Sequence, residues 1–164
     1  MKTLFPLTLI VLFFIIGKSY PVYLFCPLSN NVLYMFCHGN ILHLFINIYS
    51  FTVLYKALQI LGKWEKLGLL LFTGFVAGFF ATMPTVGCSG GIFGMFGFYT
   101  AWMVMHGRNM WKQIGFTAVS IGLTFILPHL SGSVHLAGYL CGILIAIIYV
   151  RLQHRGSETL ATSI

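Results

Sequence analysis

The chain reads as long apolar runs broken by short polar stretches, with no period-two alternation. Six runs stand out, at about 4–16, 41–61, 67–82, 89–105, 111–127 and 134–150. Each predicts a helix apolar on nearly every side. Several fall short of the roughly 20 residues that cross a bilayer comfortably, so their ends are expected a few residues wider. The first run follows Lys2 and has the length of a signal-peptide core. The "GKSYP" after it lacks a small-x-small cleavage pattern, so it is read as a first transmembrane helix.

Composition sharpens this into an all-α membrane protein. Of the 164 residues, 59% are hydrophobic and only 7% charged, with a mean hydropathy of +0.94. A soluble core of this size could not absorb that much apolar surface, so the solvent must be a lipid bilayer. The net charge of +7 does not mark a nucleic-acid surface, because the basic residues stand singly between apolar runs. They read as topology. With the N-terminus inside, Lys2, Lys63, Lys66, Arg108, Lys112, Arg151 and Arg155 are cytoplasmic, Lys18 is outside, and Lys56 sits in the inner end of the second helix. The loops 17–40, 83–88 and 128–133 then face outward. One domain is expected over 1–152, with a short disordered cytoplasmic tail over 153–164. The small bare core without a transit segment favours a bacterial inner membrane. Nothing signals an oligomeric state.

Polar residues inside a membrane are costly, and here they share a depth. His43 and Asn47, four apart and so on one helical face, lie near the outer end of the second run. Ser89 opens the fourth run and His135 the sixth, at that same end. His135, Gly138, Gly142 and Ala146 form one stripe. Gly90 and Gly94 form a small-xxx-small pattern on the fourth run, as do Gly87 and Gly91. If the stripes meet, His135 reaches Ser89. Packing alone also explains such a serine and such glycines, and Cys88 is an adjacent alternative nucleophile.

Elimination narrows the chemistry. Asp is absent and the only carboxylate side chains are Glu65 and Glu158, which removes a paired-aspartate site. No HExxH occurs, and Cys26, Cys37, Cys88 and Cys141 show no metal spacing, so neither metal nor cofactor is expected. A Cys26–Cys37 bridge on an external loop stays open, as does haem ligation by His38, His43 or His135. A Ser–His pair remains: His135 would take the proton of Ser89 and later protonate the leaving amine. The Ser89 amide, the Asn47 amide group and the His43 imidazole are suitable donors for an oxyanion.

Three motifs, in order, resemble those of the rhomboid intramembrane serine proteases. "HGNILHLFIN" resembles the motif whose His and Asn, here His43 and Asn47, supply the oxyanion site. "GCSG" matches GxSG, with Ser89 as nucleophile and Gly87 and Gly90 beside it. "HLAGYLCG" matches HxxGxxxG, with His135 as base and Gly138 and Gly142 as packing glycines. The resemblance implies a six-transmembrane-helix bundle with a central, short fourth helix. It also implies transmembrane protein substrates that pass a mobile fifth helix. A non-catalytic pseudoprotease that binds transmembrane clients is the alternative on the same scaffold.

The chain departs from the family at three places. "SNNVLY" lacks the Trp-Arg pair frequent in the first external loop. Tyr55 and Gln59 stand where Gly and Glu are usual in the GxxxExxxG pattern. Phe93 replaces the tyrosine that many bacterial members stack on the catalytic histidine.

Overall fold

The computed structural model describes residues 34–82, 85–127 and 130–161. The first apolar run, Lys18 and Cys26 lie outside the described residues, as does all of "SNNVLY" except Tyr34. Among the described residues a 3-10 turn, Tyr34–Phe36, precedes α1 (Ile41–Ala57), α2 (Lys63–Gly78), α3 (Ser89–Met105), α4 (Trp111–Ile126) and α5 (Gly132–Ala161), and no strand occurs.

Local chemistry sets the helix ends. Asn40, in extended backbone, caps α1 by accepting the His43 N–H at 2.8 Å. α1 stops at Ala57, short of the expected 61, and the freed Tyr55 carbonyl accepts from the Lys66 ammonium at 2.9 Å. α2 begins at Lys63, ahead of the expected 67, because Glu65 reaches back to the Gly62 N–H at 2.6 Å. Hydropathy trims such charged first turns although helical hydrogen bonding includes them. α3 has the expected bounds, beginning after a left-handed Gly87 (φ 113°) and ending near a left-handed Gly107 (φ 73°).

The expected disordered tail is corrected in part: α5 runs on through Gln153 to Ala161. Polarity ends the apolar span, but it removes no backbone hydrogen bond, so the helix continues past it. By length and composition, Gly132–Arg155 suffices to cross a membrane, and Ile41–Ala57 is a shorter apolar helix.

α3 is the centre of the arrangement. Gly90, Gly91, Ile92, Gly94, Met95, Gly97, Phe98 and Thr100 are all buried, so it has no free face. Its closest neighbour is α5, followed by α2, with α1 and the 3-10 turn also against it. A Cβ on Gly138 would collide with the Gly90 carbonyl, and one on Gly142 with the Gly94 carbonyl. On the other side, Gly91 abuts the Leu70 carbonyl and Gly94 the Thr73 side chain. Helices in lipid gain no hydrophobic drive from meeting, so such backbone-to-backbone approach supplies the dispersion that holds them.

The outward surfaces are the apolar ones. Ile41, Leu42, Phe45 and Ile46 of α1 are exposed, as are Leu136, Leu140, Leu144 and Ile148 of α5. Thr73, Thr100, Thr117, Asn47 and His135 are buried. Apolar side chains thus cover the outer faces as well as filling the core, which suits a hydrocarbon solvent.

Candidate active site

The site forms where α1, α3 and α5 begin. Ser89 occupies the first position of α3, partly exposed, and its Oγ lies 2.8 Å from Nε2 of His135 in the first turn of α5. His135 is 7% exposed. The glycine stripe creates this approach, since Gly90 and Gly138 follow Ser89 and His135 by one and three residues. The imidazole also lies against Phe93, one turn along α3 from Ser89, with ring centroids 4.7 Å apart and planes inclined at 32°. Its Nδ1 has no hydrogen-bond partner. The ring thus packs on Phe93 and meets Ser89, and no carboxylate bonds its Nδ1.

Gly87 brings in α1. Its left-handed backbone turns the chain into α3, and a Cβ there would lie 2.7 Å from Cε1 of His43 and 3.4 Å from Nδ2 of Asn47. Both side chains therefore face the turn that carries Ser89. Asn47 is 4% exposed, and its Nδ2 is a buried donor without an acceptor. A buried amide left unpaired is costly, and its position beside the turn that carries Ser89 suits a guest oxygen.

The expected Gly87–Gly91 stripe does not form. Gly87 lies outside the helix in a turn, so it shares no helical face with Gly91, which packs on α2 instead. Cys88 is likewise separated from the site chemistry. It is buried, and its Sγ faces His38 Nε2 at 3.8 Å rather than His135. His38 stands edge-on to His43, with ring centroids 5.2 Å apart. Among the described residues, no three His, Cys, Asp or Glu side chains gather as a metal-ligand set.

A family model described as "Rhomboid domain" matches residues 26–152. The chain belongs to the rhomboid family. That family is membrane-embedded, in agreement with the apolar outer faces of this rhomboid chain. Rhomboid-related protein 3 of Homo sapiens is 26% identical over 143 residues, covering 72% of this chain and 35% of that protein. The chain thus spans about a third of the length of this curated relative.

Sequence reasoning missed Tyr34. It is buried at 2% exposure, its hydroxyl donates to the Gly74 carbonyl at 2.7 Å, and its own carbonyl accepts the Gly87 N–H at 2.8 Å. The lone aromatic at the end of "SNNVLY" was the only signal. Thr73 was also missed; it bonds the Leu69 carbonyl at 2.7 Å and the Gly91 carbonyl at 3.3 Å, tying α2 to α3.

Proposed function

We propose that this rhomboid chain is an intramembrane serine endopeptidase that hydrolyses peptide bonds in or near transmembrane segments, using a Ser89–His135 dyad. The observation that carries the reading is the 2.8 Å contact between Ser89 Oγ and His135 Nε2 on two separate helices. His135 accepts the serine proton as Oγ attacks the carbonyl, then returns it to the departing amine. A second cycle with water releases the acyl group. The unpaired Asn47 Nδ2 supports a donor role toward the tetrahedral oxyanion, alongside His43 and the Ser89 N–H. Amides in the first turn of a helix have no intrahelical acceptor, which suits the Ser89 N–H to that task.

The substrates are transmembrane proteins. A helix hides its carbonyls in hydrogen bonds, so cleavable segments contain Gly, Pro or other helix-weakening residues. α4 supports sideways access from the bilayer. Only Thr117 and Ile121 of that helix are buried, while Trp111, Phe116, Val119 and Ile126 are exposed, and its main neighbour is α5. With the first apolar run added, the bundle has six spans. The basic residues orient it with both termini cytoplasmic and the site opening outward, in a bacterial inner membrane.

Labelling of the purified protein with a fluorophosphonate probe tests the reading. Labelling of wild type that vanishes in Ser89→Ala is expected. A folded wild type that neither labels nor cleaves transmembrane substrates would instead be the non-catalytic, client-binding alternative.

A further inference from the structure

The turn Gly87–Cys88–Ser89 sets where the Ser89 hydroxyl and amide point, yet left-handed Gly87 has no side chain to hold it. One backbone donor does: the Gly87 N–H bonds the Tyr34 carbonyl at 2.8 Å. A bond to a loose loop would fix little. Tyr34 is not loose. Its carbonyl also closes its own 3-10 turn by accepting the Cys37 N–H at 3.3 Å. Its ring is 2% exposed, and its hydroxyl donates to the Gly74 carbonyl of α2 at 2.7 Å. That hydroxyl also lies 3.2 Å from where a Cβ on Gly90 would sit, so the ring fills the angle between α2 and α3.

We infer that Tyr34 is a positioning residue: tied to α2 by its hydroxyl, it pins Gly87 and so sets how Ser89, His43 and Asn47 meet the reacting carbonyl. This rests on the protease reading above. The tie ends on the amide two residues before the nucleophile, and on the glycine that both His43 and Asn47 face. Rotation about Gly87 would redirect the Ser89 amide and loosen both side chains together. The Tyr34 hydroxyl is committed to Gly74, so it serves as an anchor and not as an oxyanion donor. It performs this bracing in a loop that lacks the family's frequent Trp-Arg pair.

The test is the saturation kinetics of fluorophosphonate labelling, which separates the bound-state rate, kinact, from the binding constant, KI. Purified wild type, Tyr34→Phe, Ser89→Ala and Lys66→Met are compared, with thermal unfolding followed in parallel. Lys66 bonds Tyr55 at the opposite end of α1, so Lys66→Met controls for lost stability without touching the site. Tyr34→Phe is expected to lower kinact by about tenfold or more with KI unchanged, because small misplacements near reacting atoms cost up to ~10²-fold. Lys66→Met is expected to unfold at lower temperature with wild-type kinact. Replacement of Tyr34 by 4-aminophenylalanine, which keeps a weaker donor at the same ring position, is expected to recover most of the rate. If Tyr34→Phe does not fold, 4-fluorophenylalanine at position 34, which fills the hydroxyl's space without a donor for the Gly74 carbonyl, decides: kinact below wild type with KI unchanged supports the inference, and kinact equal to wild type overturns it. Tyr34→Phe that labels like wild type, while Ser89→Ala does not label, overturns the positioning role alone. Wild type that fails to label removes the protease reading and this inference with it.

Discussion

The α-carbon of Gly138 on α5 rests against the carbonyl of Gly90 on α3, next to Ser89 and about one turn from His135. A methyl group there meets backbone, which cannot rotate away as a flexible side chain can. Gly138→Ala must therefore push the two helices apart just where Ser89 and His135 meet. Overpacking of a tight core typically costs about 1–3 kcal/mol, and this site falls at the upper end. We expect a lowered unfolding temperature in detergent together with loss of fluorophosphonate labelling. Full labelling at wild-type stability would contradict the packing described.

The proposed oxyanion role of Asn47 can be separated from stability. Its Nδ2 has no partner in the folded chain, so removing it leaves no protein acceptor orphaned. Asn47→Ala is expected to lower kcat by ~10²–10³, the usual effect of losing one oxyanion donor. KM and the unfolding temperature should change little. Steady-state proteolysis of a transmembrane substrate beside a thermal melt checks both halves.

Phe93 supplies a ring face to His135, whose Nδ1 is unpaired. Phe93→Ala removes the surface on which His135, the proposed base, packs, and kcat should fall by about tenfold or more, as expected when a catalytic group loses its aligned pose. Phe93→Tyr keeps the face and adds only a hydroxyl, so kcat should stay close to wild type. Equal activity in Phe93→Ala would show that the ring plays no part.

Lys66 holds α1 to α2 through the Tyr55 carbonyl at 2.9 Å, with its ammonium 4.4 Å from the centre of the Tyr55 ring. Lys66→Met should destabilise the fold by about 1.5–3 kcal/mol, the range for a hydrogen bond to a charged group. Labelling at temperatures below the melt should persist. Chemical unfolding in mixed micelles measures the difference.

Much of the helix placement was legible because an apolar run reports the solvent it needs. α3 has the bounds its apolar run predicted, and the α4 run ends one residue beyond Ile126. Misplaced ends fell where polarity and hydrogen bonding part company. Lys63 and Glu65 belong to α2 despite their charge, and α5 extends past its apolar span to Ala161. The glycine stripe at 138 and 142 is readable from spacing, whereas the pairing of Gly87 with Gly91 fails because Gly87 stays in the loop 83–88 with a positive φ. Periodicity cannot report a positive φ.

By itself the sequence determined the membrane character, the helical class and the polar residue types near the starts of three helices: Ser89, His135, His43 and Asn47. Composition dictates the solvent, and spacing dictates which residues share a face. Tertiary structure decided what spacing cannot. It paired Ser89 with His135 and turned Cys88 toward His38. It also made Tyr34 the link between α2 and the turn before Ser89. Those are contacts across 40 to 53 residues of sequence. Each depends on how closely two backbones approach, and that distance is set by the whole packed bundle rather than by any one segment.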